Sequence, residues 1–202
     1  MVDGEALIAR APFMDVAAAS GSGRGVIVVD RDGLGLATVT VRRGQLEALA
    51  QRIRERYGIE LPRGNIRKEA HRRAFAGLSP ETWLATSEKG GNEFSASLRD
   101  EIGALASISD QSDGYAVLRL TGTAVRDTLA KLIPIDVHPR AFKPGDVAST
   151  IASHIGITLW RLDDAADATP MFEVAVFRSL AGSFWHALAQ SAAEFGLVIG
   201  GS

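Results

Sequence analysis

Two stretches of the chain run through the same order of elements, and this repetition limits the fold more than any single motif does. In the first, Leu36–Arg42 alternates as a strand should, and Leu46, Leu49, Ile53 and Tyr57 recur at helical spacing until Gly58 stops the helix. A long connection from Glu60 to Ser79 carries Pro62, Gly64 and Gly77 and has room for a short strand or a turn of helix. Thr82–Ser87 is strand-like, Gly90–Asn92 punctuates, and Phe94, Leu98, Ile102 and Leu105 mark an amphipathic helix. In the second stretch Tyr115–Leu120 is a strand, and Val125, Leu129 and Leu132 form a helix that ends near Pro134. After a connection, Val147–His154 and Ile157–Leu162 are extended, Asp163–Pro170 is a hairpin loop, Phe172–Phe177 is a strand, and Phe184, Leu188 and Phe195 make a closing helix.

Aligning Leu46–Ile53 with Val125–Leu132, and Leu61-Pro62-Arg63 with His138-Pro139-Arg140, gives an offset of 77 to 79 residues. The match is one of pattern rather than identity. Two related strand–helix halves of this kind imply antiparallel sheets with helices packed on one face, an α+β fold. The expected organisation is a flexible N-terminal arm over residues 1–25, a β-branched strand opening at Val26, a first half-module over 26–109 and a second over 110–202, all in one globular unit. At 202 residues the chain can bury roughly 70% of its unfolded surface, so its core needs no metal or disulfide.

The sequence contains no cysteine, which excludes disulfides, thiolate catalysis, zinc fingers and cysteine-ligated iron–sulfur clusters and points to the cytoplasm. Asp3 and Glu5 stand where a signal peptide needs positive charge, and no apolar run approaches the roughly 20 residues that span a bilayer, so a soluble, unprocessed protein is expected. A net charge of -2 sets up no global field for nucleic acid or an acidic membrane. Locally, Thr38–Phe75 holds ten Lys or Arg against four Glu. Arg42, Arg43, Arg63, Arg67, Lys68, Arg72 and Arg73 are therefore either a solvated face, with Glu47, Glu55 and Glu69 interspersed, or a face for a negatively charged partner.

The usual catalytic patterns are missing. Gly21-Ser22-Gly23-Arg24-Gly25 lacks the Gly-Lys-Ser/Thr ending of a phosphate loop and precedes a strand rather than a helix, as a flexible linker does. His71, His138, His154 and His186 include no pair at metal-ligand spacing, and no serine lies in Gly-x-Ser-x-Gly. Asp163, Asp164 and Asp167 lack the glycine and terminal glutamate of a calcium loop. Asp110-Gln111-Ser112-Asp113-Gly114 has the composition of a turn, with ligand or subunit contact as the alternative. His138, placed before Pro139, suits a turn-stabilising or partner-facing role better than catalysis, and His186 a packed helix position. Trp83, Trp160 and Trp185 are core residues by default and interface anchors otherwise. No catalytic or metal-binding residue is expected in this chain, and no cofactor-binding residue can be named.

Several segments together resemble the gamma subunit of heterotetrameric sarcosine oxidase: Asp110-Gln111-Ser112-Asp113-Gly114 with the strand Ala116–Leu120, Gly122, Ala124 and Leu129, then Asp136-Val137-His138-Pro139-Arg140-Ala141-Phe142, and finally Phe172-Glu173-Val174, Arg178-Ser179 and Trp185-His186-Ala187-Leu188. Gly58, Leu61-Pro62, Asn65 and Leu78–Leu84 match more loosely, with Thr82 where the family commonly has an acidic residue before Trp83, so the resemblance runs from Val39 to Leu188. It implies a complex with alpha, beta and delta subunits that oxidises sarcosine to glycine with oxygen, in which partner subunits hold FAD, covalently attached FMN, NAD, tetrahydrofolate and zinc. The gamma chain would hold no cofactor, and its fold would resemble the folate-binding domain of the glycine-cleavage aminomethyltransferase. Motif or interface candidates are Trp83, Asp110, Gln111, Ser112, Asp113, Asp136, His138, Pro139, Arg140, Phe142, Arg178 and Trp185. The alternatives are an independent tetrahydrofolate-binding or one-carbon-transfer protein, motivated by that fold alone, and a basic-faced adaptor touching RNA, which the near-neutral overall charge disfavours.

Overall fold

A computed structural model describes residue 13 and residues 24–200. In chain order the elements are β1 (Val26–Asp30), β2 (Gly35–Val41), α1 (Leu46–Tyr57), β3 (Arg67–Ala70), β4 (Arg73–Ser79), β5 (Thr82–Ser87), α2 (Phe94–Ile102), β6 (Ala106–Asp110), β7 (Tyr115–Thr121), α3 (Val125–Leu132), β8 (Val147–Ala152), β9 (Ile155–Arg161), β10 (Met171–Phe177), α4 (Ala181–Ala192) and β11 (Leu197–Ile199).

Strand alternation distributes these elements over four layers. In β2, Ala37, Val39 and Val41 pack with Leu49, Ile53 and Tyr57 of α1 and Phe94, Leu98 and Ile102 of α2, while Leu36 points the other way. In β7 and β10, Leu118, Leu120, Phe172, Val174 and Val176 pack with Val125 and Leu129 of α3 and Phe184 and Leu188 of α4, while Val117 and Ala175 point away from the helices. The two opposite faces meet, and Leu36, Ala76, Leu84, Val117, Val147, Trp160, Leu162 and Ala175 form a third core between the sheets. Each fully buried large apolar side chain in these layers contributes roughly 1.5–3 kcal/mol relative to exposure. The order is therefore helices, five-stranded sheet, six-stranded sheet, helices, the expected α+β arrangement.

The topology makes the internal repeat explicit. The five-stranded sheet runs β3-β4-β5-β2-β6 and the six-stranded sheet β8-β9-β10-β7-β1-β11. Reading β7 to β11 as the counterparts of β2 to β6 gives the same order in both, with β1 as one additional strand. β1 pairs antiparallel with β7 and parallel with β11. A strand at the start of residues 26–109 thus lies in the sheet built by residues 110–202, so sheet membership does not follow the division at residue 110. Equivalent segments also pair with each other. Ile66 and Asp146 form an antiparallel bridge, flanked by hydrogen bonds from Val147 N to Asn65 O (2.9 Å) and Arg67 N to Gly145 O (2.7 Å).

Several elements differ from the sequence expectation. The connection after Glu60 contains the edge strand β3 and the central strand β4. The stretch after α2 is β6, so Leu105 lies beyond a helix that ends at Ile102, and α4 is followed by β11. Gly58 does end α1, in the left-handed region at φ 68°. The N-terminal arm expected over residues 1–25 lies outside the described residues apart from Phe13, Arg24 and Gly25. Phe13 packs its ring 6.1 Å from that of Trp185. No helix among the described residues is long and apolar enough to cross a membrane.

The tightest backbone approach is at Gly77, where a Cβ would stand 2.0 Å from Gly64 O and 3.0 Å from Gly64 C. Because the obstacle is backbone, Gly77→Ala should displace the 64–66 segment and cost about 1–3 kcal/mol in urea unfolding. Gly156→Ala, whose Cβ would meet nothing within 4 Å, serves as the control and should show no steric cost. Equal stabilities for the two variants would contradict the close approach.

Candidate functional site

One row across the six-stranded sheet breaks the apolar character of the layer between the sheets. Arg119 of β7 lies opposite Glu173 of β10, and Glu173 lies opposite Trp160 of β9. All three face the other sheet, because alternation turns their neighbours Leu118, Leu120, Phe172 and Val174 toward the helices. Glu173 is only 3% exposed. Its Oε1 accepts hydrogen bonds from Arg119 Nη2 (2.7 Å), Arg119 Nε (3.0 Å) and Arg31 Nε (3.0 Å), and its Oε2 from Trp160 Nε1 (2.9 Å). Arg31 comes from the β1–β2 connection and extends Nη2 to Glu88 Oε1 (2.7 Å), just past β5. One buried carboxylate thus links β7, β9 and β10 to the β1–β2 connection and, through Arg31, to the other sheet.

This row opens into a cleft of about 450 Å³, whose walls also include Arg67, His71, Arg72, Thr86 and Asp163. Arg67 pairs with Glu69 through Nη1, while its Nε is buried without a hydrogen-bond partner. Satisfied buried charges hold geometry, and with both oxygens of Glu173 engaged the cluster acts as a clamp. On the helix side of the same sheet, the guanidinium groups of Arg126 and Arg161 stand 5.2 and 5.0 Å from the Phe172 ring centroid. Burial, reinforced by the charge of Arg126, lowers the pKa of Arg161 to about 10. Arg161 donates to the carbonyls of Leu162 and Met171 and to Asp164, and Arg126 to the Val137 carbonyl.

The candidate residues fall into three places. Asp110 to Asp113 form the turn that carries the chain from one sheet to the other. Asp110 accepts from Ser112 N (2.9 Å) and Ser95 Oγ (2.9 Å), Leu36 N donates to Ser112 Oγ (3.1 Å), and Gln111 N donates to Leu36 O (2.8 Å). Burial opposes the Asp110 charge, but the hydrogen bonds from Ser112 and Ser95 outweigh it and lower the pKa. Arg178 joins this turn through its backbone N–H, which donates to Gly114 O (2.9 Å), while Asp113 is exposed. Asp136 to Phe142 make a second ordered loop, in which Asp136 Oδ1 accepts from His138 N (2.8 Å) and His138 Nδ1 from Arg140 N (3.2 Å). His138, Pro139 and Arg140 point to solvent, whereas Phe142 is buried with its ring 6.3 Å from that of Phe172. Trp83 and Trp185 are core residues, and Trp83 Nε1 donates to Pro62 O (2.8 Å). Of the basic stretch, Arg63 pairs with Glu47 and Arg54 with Glu60 at the surface.

Sequence reasoning missed Arg31, Asp30 and the pairing of Arg119 with Glu173. A charged residue at an inward strand position was the available signal for the last two. Asp30 has a buried Oδ1 with no hydrogen-bond partner and lines a narrow crevice with Ser112 and Arg178. Burial, with the charge of Asp32 added, pushes its pKa up to about 6, against the opposing pull of Arg178. Among the described residues no group of three or more His, Asp and Glu side chains is placed to hold a metal ion.

The family model described as the sarcosine oxidase gamma subunit family matches residues 43–194. The chain is 33% identical over 123 residues to the sarcosine oxidase subunit gamma of Corynebacterium sp. (strain P-1), covering 58% of this chain and 57% of that protein. It is 34% identical over 109 residues to the Arthrobacter sp. protein of the same description, covering 52% of each. The matched regions thus span little more than half the length of these curated relatives. Among solved structures, a chain of heterotetrameric sarcosine oxidase from Corynebacterium sp. U-96, in complex with pyrrole 2-carboxylate, superposes with a TM-score of 0.78 at 23% identity, covering 93% of this chain and 96% of that one. The glycine cleavage system aminomethyltransferase T of Bartonella henselae superposes with a TM-score of 0.60 at 11% identity, covering 89% of this chain and 48% of that one. These two likenesses establish a shared fold.

Two outcomes follow from the charged residues. Glu173→Gln leaves Arg31 and Arg119 without their shared counter-charge and should cost about 2–3 kcal/mol in urea unfolding, below the roughly 3–5 of a fully buried pair because both arginines keep partial solvent access. No loss would show that the cluster does not clamp the sheets. For Asp30, a folded-state pKa above the unfolded value means that its contribution to stability is fully present below about pH 4 and is lost as pH rises through about 6. Asp30→Asn should therefore melt near the wild-type temperature at pH 4 and above it at pH 7.5. A difference that does not change with pH would refute the assignment.

Proposed function

Because the chain belongs to the sarcosine oxidase gamma subunit family, we propose that it is the non-catalytic gamma subunit of a heterotetrameric sarcosine oxidase and supports the oxidative demethylation of sarcosine to glycine. On this proposal alpha, beta and delta partners carry FAD, FMN, NAD, tetrahydrofolate and zinc, and this chain supplies packing surface in the cytoplasm. The family match across residues 43–194 carries the proposal. The arrangement of the inter-sheet cleft agrees with it, since Glu173 is occupied by structural donors on both oxygens. The solvent-facing His138, Pro139 and Arg140 and the exposed Asp113, each on a hydrogen-bonded turn, are among the parts of the family motifs free to meet a partner.

An independent folate-binding protein is the second reading, favoured by the cleft of about 450 Å³ and the aminomethyltransferase-like fold. The back of the cleft fits it poorly. A pteridine ring presents adjacent N–H donors that require a free acceptor, and of the carboxylates that line the cleft Glu173, Glu69 and Glu88 are already paired with arginines, which leaves Asp163 at the exposed rim.

Co-expression with the neighbouring open reading frames tests the proposal. The chain should co-purify with a flavin-bearing assembly that consumes oxygen in the presence of sarcosine, and failure to co-purify with any flavin-carrying subunit would refute it. Arg140→Glu should weaken that assembly at least tenfold while leaving the melting temperature of the isolated chain unchanged. Saturating tetrahydrofolate should not shift that melting temperature, and a shift would favour the second reading.

A further inference from the structure

The tip of the β3–β4 hairpin separates the inter-sheet cleft from a second cleft of about 290 Å³ on the outer side. Arg56, His71, Arg72, Arg73 and Lys89 line this second cleft together with Tyr57, and its described lining includes no Asp or Glu. Four permanent cations therefore share one small concavity in a protein whose net charge is -2. Beyond the hairpin tip Glu69 and Glu88 are paired with Arg67 and Arg31, and compensation within the wall comes from behind it. Glu101 accepts hydrogen bonds from Arg56 and from the Tyr57 hydroxyl, and despite the opposing effect of burial these bonds and the charges of Arg56 and Arg73 lower its pKa. With its lone pairs so directed, Glu101 anchors the wall and neutralises one of the four charges.

The cations are held in place rather than left to disperse. Arg73 stands 4.7 Å from the centroid of the buried Tyr57 ring, which fixes its guanidinium at the floor. Lys89 follows a turn closed by Ser87, whose Oγ donates to Lys89 O (2.6 Å) and accepts from Lys89 N (3.2 Å). Glu88 N donates to Arg72 O (3.0 Å), tying that turn to the hairpin tip. At the tip itself His71 and Arg72 adopt φ of 51° and 64°. A two-residue hairpin turn of this hand normally uses Asn and Gly, so the bulky side chains of His71 and Arg72 here carry backbone strain that the surrounding contacts must offset. Convergent, mutually repelling cations on a strained but anchored turn form a receptor for negative charge that remains incomplete without it.

We infer that this cleft binds the phosphoryl group of a small ligand, with Arg72, Arg73 and Lys89 donating to its oxygens and Arg56 at the rim. The volume suits a small oxyanion rather than an extended polymer, and guanidinium and ammonium groups converging from two turns match tetrahedral oxygens better than a single planar carboxylate. The inference concerns the chain by itself and does not depend on its assembly with partners.

The test is a titration of the full chain with inorganic phosphate, with pyrophosphate and with a hexaglutamate peptide, at constant ionic strength against chloride, followed by amide chemical shifts. Phosphate or pyrophosphate should saturate, with shifts centred on residues 70–73 and 87–89. Comparable affinities for the two would indicate a single phosphoryl group as the recognised unit, and selective binding of pyrophosphate would indicate a diphosphate. The double variant Arg72→Asn, Lys89→Gln, both at exposed positions and with Asn suited to positive φ, should bind at least tenfold more weakly and, relieved of strain and repulsion, melt at or above the wild-type temperature without the anion. The inference is overturned if the shifts follow ionic strength alone, if the double variant binds as tightly as the wild type, or if hexaglutamate occupies the cleft more tightly than either phosphate, which would make it a seat for an acidic protein segment.

Discussion

Two sheets can pack face to face only if their inner faces are dry or their polar groups are fully paired, and the rest of this molecule depends on how that condition is met at Glu173. A lone carboxylate in the layer would favour separation of the sheets. With Arg119 directly across one strand pair, Trp160 across the other and Arg31 reaching in from the β1–β2 connection, the same carboxylate fixes the register of three strands and the position of a loop. Apolar residues on either side, from Val117 to Ala175, bring the sheets together, and the ion cluster specifies how they meet.

The internal repeat gives the clamp its setting. Equivalent segments of the two halves pair with each other at Ile66 and Asp146, much as two subunits do across a twofold axis, so the interface between the halves resembles a dimer contact held within one chain. The charges at this interface are not repeated in sequence. Glu173 and Arg119 belong to the second half alone, and their partner Arg31 comes from the β1–β2 connection, ahead of the first strand of the five-stranded sheet. Divergence of the halves is thus most visible where they touch.

Much of this was legible in the chain. Helical spacing at Leu49, Ile53 and Tyr57 and at Val125, Leu129 and Leu132 located α1 and α3, and the turn composition of Asp110–Gly114 matched the Asp110 and Ser112 hydrogen bonds that form it. β4 was hidden because it is central: Ala74, Phe75 and Ala76 are all buried, so no alternation marks it, and its small residues lack the β-branched signature. β6 and β11 are short sheet elements with too few residues to establish a period. For the site, a charge at an inward strand position was visible at Glu173. Its partner Arg119 lies 54 residues away, and only the fold brings the two together.

The insertion of β1 between β7 and β11 has a consequence for the order in which the molecule can assemble. All strands of the five-stranded sheet lie between Gly35 and Asp110, so that sheet and its two helices can close while later residues are still being synthesised. The six-stranded sheet cannot, because it joins a strand from the earliest described residues to one from the latest, a pairing of high sequence separation with a correspondingly large entropic cost. Until Leu197–Ile199 leave the ribosome, β1 has an unsatisfied edge, and during that interval a chaperone or another polypeptide could capture it.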